Sequence, residues 1–496
     1  MSNDIIFAPL RFRNLEVKNR LFRSSISGRI DNYDGSGTSA RINWEAKFAQ
    51  GGVGAIITSF VSIDIRGRIL PNYATIDVDE RIPFWREVVR KVHEYDCKLI
   101  IQLSHSGRQR DNVGVENVTN KALSSTNRYE PLHGFPCQAM SLEEIKETIG
   151  LYGEAARRAQ EAGADGVETH SANGYLITQF LSSAINRLPP PYGGALPNRA
   201  RFLLEIIKAI RAKVGNDFHF QCKIGAVDRN NAVLFWEQPG NTLEDAIQIS
   251  RWVENPTEWA KAAGENLREW ENVRGADAIH VSTGSAFPHP LNPPGDFPAS
   301  VLARTYQTVI SSGVHTMRNF LLFRNVFGRA LFRAFWLRIQ SQIKGYRLEV
   351  PKVTGPFKTK YLSPKAMQKL LDRYQGVSLS DSREIKKSVG VPIICTGGFQ
   401  QASYISRAIT EGFCDAVSMA RPLIANHDLP AIFRSGADIP NNPCTYCNKC
   451  LLHVIEDPLG CYNQDRYDSY DELVESVMQV FREDSLPQIS PNGPPR

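Results

Sequence analysis

The feature that most constrains this fold is an alternation, along the whole chain, of short apolar segments with longer amphipathic ones. Short apolar runs bounded by glycine or proline favour buried β-strands, and apolar residues recurring at three and four favour helices. Eight strand-like segments can be identified: Leu21–Ser27, Gly54–Phe60, Lys98–Ser104, Asp165–His170, His219–Ile224, Asp277–Thr283, Val391–Thr396 and Cys414–Met419. Because eight strand–helix units close a TIM barrel, the sequence predicts an α/β fold of the (β/α)8 type over residues 1–440.

A doubly wound parallel sheet is the main alternative architecture. Such a sheet carries a GxGxxG turn after a strand where it binds a dinucleotide, and no strand-like segment here is followed by one. Polar residues instead cluster after several of the strands, where the active face of a barrel lies. The barrel is therefore favoured.

Two connections are too long for a simple barrel. The connection after the fifth strand, about 226–275, has helical periodicity and many charges, and the connection after the sixth, about 285–385, opens with a proline-rich loop. Segments of this length in a compact domain are commonly lids or binding elements. We therefore expect both to be insertions that flank the site.

The second insertion contains an unusual basic and aromatic segment. Between Phe297 and Leu348 there are eight Arg and Lys residues and no acidic one. Large apolar side chains recur there at three or four, which predicts a helix with one apolar face across 318–340: Phe320, Phe323, Phe327, Leu331, Phe335 and Ile339. Three interpretations stay open: a helix packed on the barrel with its arginines in solvent, a lid, or a helix at a membrane surface.

Composition excludes several other classes of protein. Hydrophobic residues make up 42% of the chain and charged residues 22%, which is ordinary for a globular protein. A net charge of +6 over 496 residues predicts no nucleic-acid partner. We find neither a secretory signal nor an apolar run long enough for a spanning helix. Nine cysteines are too few for a disulfide scaffold and favour a reducing, cytoplasmic location.

The richest stretch is GADGVETHSANGYLITQFLSSAINRLPPPYGG, from Gly163 to Gly194. A short apolar run is followed at once by His170, Asn173 and Tyr175, an order typical of the C-terminal mouth of a barrel strand. His170 and Asn173 can donate hydrogen bonds to one oxyanion or flavin carbonyl, and Tyr175 adds a phenolic proton. An ordinary structural role for these polar residues is the alternative.

Other strand ends carry groups that suit a phosphate or a flavin. The Gly397-Gly398 pair after the seventh strand and Arg421 after the eighth together resemble the phosphate site that barrels often carry there. Lys223 would point a cation toward the barrel centre, where a reduced flavin anion needs one. Gln102 lies inside the third strand, in KLIIQLSHSGRQ.

The combined motifs resemble those of the Old Yellow Enzyme family, which are FMN-containing (β/α)8 ene-reductases related to 2,4-dienoyl-CoA reductase. The matching segments are KNRLFRSS, IQLSHSGRQ, GADGVETHSANGYLITQFLSSAINR with YGG and NRARF, IICTGGF and SMARPLIANHDLP. The resemblance implies a ping-pong oxidoreductase. Reduced nicotinamide passes hydride to FMN, which then reduces the activated C=C of an α,β-unsaturated carbonyl compound.

The resemblance also assigns roles by position. It implies that His170 and Asn173 bind the substrate carbonyl oxygen and that Tyr175 protonates the α-carbon. The residues implied to bind FMN are Ser25, Ser27, Gln102, Lys223, Gly397, Gly398 and Arg421. One departure is notable, because Leu188 and Pro190 stand where the family usually has Arg and Asp, and we expect the bracing of that loop to change.

The last segment, 441–496, is a predicted C-terminal extension with four cysteines. Cys444, Cys447, Cys450 and Cys461 are spaced x2, x2 and x10, which suits a [4Fe–4S] cluster, a zinc ion or no metal at all. The longer relatives carry a cluster here with one more residue between the second and third cysteines. A cluster would make a dienoyl-thioester reductase or an amine dehydrogenase the alternative function. A flavin- or lipid-binding barrel at a membrane surface is the non-enzymatic alternative.

Overall fold

The eight expected strands close into one parallel barrel in the computed structural model, which describes residues 4–26, 28–110, 121–128, 136–229, 239–285, 292–301, 325–341, 343–454 and 457–482. In chain order the barrel strands are β1 Leu21–Arg23, β2 Ala55–Ile57, β3 Lys98–Ser104, β4 Gly166–Ser171, β5 His219–Arg229, β6 Ala278–Ser285, β7 Ile393–Thr396 and β8 Ala416–Met419. Each strand pairs in parallel with the next, and β8 pairs with β1. The predicted fold class is confirmed.

The helices outside the barrel follow the predicted alternation. Those between successive strands are Ser39–Gln50, Ile82–His93, Leu142–Glu161, Leu176–Leu181, Leu196–Val214, Leu243–Glu254, Pro256–Ala263, Val326–Gln340, Pro364–Tyr374, Leu379–Lys386 and Ala402–Thr410, and those after β8 are Arg421–Ala425, Leu429–Arg434, Lys449–His453 and Tyr470–Met478. The inner faces of most of these helices and the outer faces of the strands form one large apolar core, while Val326–Gln340 and Pro364–Tyr374 pack in two smaller clusters. None of the described helices is long and apolar enough to cross a membrane.

Local sequence explains where the helices begin. The helix Leu142–Glu161 starts at a capping box, because the Ser141 hydroxyl accepts from the Glu144 amide at 3.2 Å and the Glu144 carboxylate accepts from the Ser141 amide at 2.7 Å. The helix Leu243–Glu254 starts at an equivalent box between Thr242 and Asp245. This second helix lies inside the predicted insertion 226–275 and contacts β5, where a barrel helix belongs.

Small elements complete the described chain. A short antiparallel ladder joins Leu10–Arg11 to Glu16–Val17, and Pro239–Asn241 extends the outer end of β5. Val61–Ser62 pairs with the end of β3, and Ala122–Ser124 pairs with Cys137–Ala139. The remaining elements are the helix Asp4–Phe7 and the 3-10 turns Ile65–Gly67, Asp79–Arg81, Leu267–Glu269, Gln464–Arg466 and Gln479–Phe481.

The basic segment forms a helix, and its packing decides which of its sides is buried. The helix is Val326–Gln340, and the earlier part of the predicted 318–340 segment lies outside the described residues. A helix packed on the barrel by its aromatic face would bury Phe327 and Leu331, but they are 83% and 72% exposed, whereas Trp336 and Gln340 are buried. The physical reason is specific hydrogen bonding, because the Trp336 indole donates to the Gly295 carbonyl and the Gln340 side chain accepts from the Gly295 amide.

Candidate active site

His170, Asn173 and Tyr175 lie on one tight turn at the mouth of the barrel. His170 is the penultimate residue of β4 and is 5% exposed. Asn173 and Gly174 then take positive φ angles of 60° and 77°, which reverses the chain and lets Tyr175 begin the helix Leu176–Leu181. The turn is held from the segment that follows β3, because the Gln109 side chain donates to the Asn173 carbonyl at 2.7 Å.

The rings of His170 and Tyr175 are in direct contact. Their centroids are 4.7 Å apart in an edge-to-face arrangement. Phe60 packs on both, with its centroid 5.1 Å from that of Tyr175 and 6.2 Å from that of His170. Tyr73 joins the same apolar cluster. Phe60 and Tyr73 were not identified from the sequence, and the available signal was an aromatic residue at the end of the second strand-like segment.

Burial keeps both functional rings uncharged. Burial, followed by the charges of Lys223 and His280, holds the pKa of His170 well below its usual 6.5. Burial also raises the pKa of Tyr175, with a smaller contribution from Tyr73. At neutral pH His170 is therefore a neutral imidazole with one N–H to donate, and Tyr175 is a phenol that retains its proton. The pair offers two uncharged donors in a site shielded from water.

A buried polar network lies inside the barrel next to His170. Glu168, which is fully buried on β4, accepts hydrogen bonds from Gln102 at 2.7 Å, Gln221 at 2.5 Å and His280 at 2.8 Å. Burial would raise the pKa of Glu168, but His280, Lys223 and the hydrogen bonds lower it, so it is ionised at neutral pH. These contacts leave the Gln102 Oε1 atom buried with no hydrogen-bond partner among the described residues.

Lys223 and Ser25, which the resemblance assigns to the flavin, lie side by side. Lys223 is 4% exposed on β5, in register with His170 on β4, and its ammonium lies 3.5 Å from the Ser25 hydroxyl. Burial lowers the pKa of Lys223, and Glu168 opposes that effect. Ser27, the other predicted flavin contact near β1, lies outside the described residues.

The predicted phosphate residues are linked through Tyr446. The Tyr446 hydroxyl donates to the Gly398 carbonyl at 2.5 Å, and the Arg421 guanidinium lies 5.3 Å from the centre of the Tyr446 ring. Gly398 has a φ of +71°, and a Cβ there would lie 2.4 Å from the Tyr374 carbonyl, so glycine is required. Arg421 donates to the Pro294 carbonyl and to Asn448, which turns its guanidinium toward the cysteine extension.

Cys444, Cys447, Cys450 and Cys461 are all free thiols and line one cavity beside Arg421 and Arg466. Arg466 donates to the Cys461 sulfur at 3.0 Å, and the Tyr446 amide donates to the Cys444 sulfur at 3.5 Å. Burial raises the pKa of the Cys444 thiol to about 11 and that of Cys450 well above 9.0.

In the part of the chain that the structure describes, no three His, Cys, Asp or Glu side chains come close enough together to hold a single metal ion. The donor set itself fits an iron–sulfur cluster, which uses four cysteines and N–H donors to sulfur.

The loop that lacks the family's Arg–Asp pair is braced by other residues. The Asn186 side chain accepts from the Leu188 amide at 2.9 Å and donates to the Tyr192 carbonyl at 2.8 Å. Arg199 donates to the Leu181 and Gly194 carbonyls on either side of the loop. Hydrogen bonds from the Asn186 and Arg199 side chains to main-chain atoms thus brace the loop in place of the family's ion pair.

The mouth of the closed parallel barrel gathers neutral donors, a buried cation and, among the described residues, an unpartnered buried amide oxygen, which are groups that suit a flavin-dependent oxidoreductase. The comparison with known proteins agrees: residues 5–286 match the NADH:flavin oxidoreductase / NADH oxidase family, and the chain belongs to that family. The resemblance to Old Yellow Enzymes is thereby confirmed, and with it flavin and NAD(P)H as the cofactors of the family.

Individual proteins similar to this chain are consistent with this family assignment. The chain is 26% identical over 481 residues to NADH oxidase of Thermoanaerobacter brockii, covering 92% of this chain and 57% of the relative. It is 36% identical over 292 residues to an NADPH dehydrogenase of a Geobacillus species, covering 57% of this chain and 74% of the relative. An Old Yellow Enzyme homologue from Zymomonas mobilis shares the fold, with a TM-score of 0.58 and 21% identity over 89% of this chain and 96% of that one. The chain thus spans little more than half of the NADH oxidase.

Proposed function

We propose that this protein is an ene-reductase that reduces the activated C=C bond of an α,β-unsaturated carbonyl compound with NAD(P)H. The observation that carries the proposal is the turn from His170 to Tyr175, which gathers two carbonyl-binding donors and a proton donor at the barrel mouth. FMN, when bound, supplies hydride that it has accepted from reduced nicotinamide.

The residues at the mouth fit this cofactor. Gln102 offers a buried acceptor without a partner among the described residues, and Lys223 offers a buried cation beside Ser25. Gly398, half-buried after β7, holds a turn that a residue with a Cβ could not adopt without striking Tyr374. We assign Arg421 to the phosphate end, where it would exchange its contact with Asn448 for the anion.

The chemistry of the chain's own residues follows from their protonation states. Neutral His170 and the amide of Asn173 donate to the substrate carbonyl oxygen and stabilise the negative charge that develops there. Tyr175, protonated because it is buried, delivers a proton to the α-carbon. Phe60 and Tyr73 shield these donors from water, which strengthens their hydrogen bonds.

The test measures the two half-reactions of the Tyr175→Phe variant separately. Reduction of the bound flavin by NADPH should change little, and its reoxidation by cyclohexenone should slow by roughly 100-fold or more, because a positioned general acid contributes about that much. Tyr361→Phe, at a tyrosine that is 96% exposed and outside the site, serves as a matched control with the same change of residue type. Equal slowing of both half-reactions by Tyr175→Phe would reject the acid role. A yellow protein that NADPH does not bleach would favour a non-catalytic flavin-binding barrel.

We further propose that the four-cysteine cavity holds a [4Fe–4S] cluster. The supporting observation is that four free thiols and two arginines line one cavity next to the proposed phosphate site. Anaerobically purified protein should contain about four iron and four sulfide per chain. Cys461→Ser should lower both, and Cys137→Ser, outside the cavity, should lower neither. Protein that contains iron should then be tested against dienoyl thioesters and N-methylated amines, the alternative substrates.

A further inference from the structure

The helix Val326–Gln340 has two unlike sides. One side is anchored: Trp336 and Gln340 hydrogen-bond the loop at Gly295, and the Phe297 ring lies 4.6 Å from that of Trp336. Leu452, from the cysteine extension, completes this small apolar cluster. The helix is therefore held firmly against the body of the protein.

The other side of the same helix is apolar and open to solvent. Val326, Phe327, Leu331 and Leu337 are 65%, 83%, 72% and 45% exposed. They account for four of the thirteen large hydrophobic side chains that are exposed in the described part of the chain. Apolar side chains concentrated on one short helix mark a docking surface rather than scattered exposure.

Charge indicates what this surface meets. The helix contains Arg329, Arg333 and Arg338 and no acidic residue. Arg333 lies 3.9 Å from Asp296, a contact between exposed groups that contributes little and can be exchanged. A second copy docking face to face would bring these arginines against their own copies, whereas an anionic lipid surface complements them.

We propose that the exposed side of helix Val326–Gln340 docks on an anionic lipid surface. Phe327 and Leu331 enter the interfacial layer, and Arg333 and Arg338 meet the headgroup charges. The helix lies flat on the surface, since none of the described helices can span a membrane. The anchored side places the cysteine extension directly behind the docked helix.

Vesicle flotation of the FMN-loaded full chain tests this proposal. Wild-type protein should float with vesicles containing phosphatidylserine, and less with phosphatidylcholine alone or at high salt. Phe327→Ser with Leu331→Ser should lower the partition coefficient by about tenfold or more. Arg333→Gln with Arg338→Gln should remove most of the preference for phosphatidylserine, at about fivefold per arginine. Leu142→Ser, at a different exposed leucine, should change nothing.

Three results would overturn the proposal: no flotation of wild-type protein, equal flotation of the Phe327/Leu331 variant, or a dimer in solution that this variant dissociates. Phe327→Trp retains an apolar helix should the serine variant fail to fold. The added indole emission should shift to the blue with phosphatidylserine vesicles, and an unshifted emission would also count against docking.

Inside the barrel, a separate set of contacts assigns a role to Glu168. An ionised carboxylate accepts hydrogen bonds and cannot donate, so Gln102 must turn its Nε2 toward Glu168. The Gln102 amide nitrogen donates to the Thr58 hydroxyl at 2.9 Å, which fixes the backbone as well. The remaining atom of the side-chain amide, Oε1, is the buried acceptor without a partner among the described residues.

We infer that Glu168 is a positioning residue that fixes the amide of Gln102, so that Gln102 presents an acceptor to the N3–H of the flavin. This rests on the flavin of the proposed function, but not on its substrate. Lys223 then remains as the donor for the neighbouring flavin carbonyl. A glutamine in place of Glu168 can donate as well as accept, which releases Gln102 to turn over.

Flavin binding, measured by fluorescence quenching without turnover, tests this role. Wild-type protein should bind FMN at least about tenfold more tightly than 3-methyl-FMN, which has no N3–H to donate. Glu168→Gln should reduce that ratio about fivefold or more. Gln221→Met removes a donor to the other oxygen of Glu168 and should leave the ratio unchanged.

An unchanged ratio in Glu168→Gln, with both affinities lowered equally, would show a merely structural role and overturn the inference. Gln102→Met provides a second measurement should Glu168→Gln not fold. It removes the acceptor itself, so a wild-type ratio in that variant would overturn the inference too. Loss of enone reduction with the ratios as expected would count against the proposed function alone.

Discussion

Replacing Asp228 with asparagine should make the protein more stable in alkaline solution and leave it nearly unchanged in acid. Asp228 is 1% exposed at the outer end of β5, and its Oδ2 accepts from the Asn241 side chain at 3.0 Å. Its Oδ1 and the Oδ1 of Asn241 both lack partners among the described residues. Protonation of Asp228 supplies the hydrogen that joins these two oxygens and forms an acid–amide pair.

Burial raises the pKa of Asp228 from 3.8 to about 7, against a smaller opposing effect of Asn241. Below pH 3.8 the folded and unfolded states are both protonated, and the group costs nothing. Between pH 3.8 and about 7 the unfolded chain ionises first, so folding stability falls as pH rises. The free energy of unfolding falls by about 1.4 kcal/mol per pH unit over this range. Above pH 7 it falls no further, and the total loss is about 4 kcal/mol.

The asparagine side chain of the Asp228→Asn variant cannot ionise and keeps both hydrogen bonds, so the variant avoids this loss. Thermal unfolding of the two proteins from pH 4 to pH 8.5 measures the difference. At an unfolding entropy of about 2 cal/mol/K per residue, the variant should melt about 4 °C higher at pH 8 and nearly equally at pH 4. All other titrating groups are shared and cancel in the comparison. A difference that is constant with pH, or that grows toward acid, would refute the reasoning.

Three further changes should have distinct outcomes. Gly398→Ala should weaken FMN retention and lower the midpoint of chemical unfolding more than the control Gly412→Ala. Both glycines have φ above +70°, but a Cβ at Gly412 has no neighbour within 4 Å. Equal effects of the two substitutions would contradict the close contact at Gly398. Arg421→Ala should raise the dissociation constant of FMN by roughly tenfold, since a charge-assisted hydrogen bond contributes about 1.5–3 kcal/mol; unchanged retention in gel filtration would contradict the phosphate assignment. His170→Ala combined with Asn173→Ala should abolish the long-wavelength band that phenols form with the flavin, and a band of wild-type intensity would reject the two donors.

The barrel itself was predictable because its signals are local. Strand length, glycine punctuation and helical periodicity depend on neighbouring residues in the chain, and all eight strand-like segments became barrel strands. The cluster of His170, Asn173 and Tyr175 was predictable for the same reason, since one turn carries all three. Family resemblance supplied their roles and the flavin.

Contacts between distant segments were decided by the tertiary structure. Glu168, Gln102 and His280 look like unrelated polar residues in three strands, and closure of the barrel makes them one network. In the helix Val326–Gln340, the sequence by itself determined an amphipathic helix rich in arginine, but its anchoring at Gly295 decided which side is buried. Periodicity predicts which residues share a helix face, but the segment that covers a face comes from elsewhere in the chain. The Gly295 loop covers the side with Trp336, so Phe327 and Leu331 are exposed to solvent.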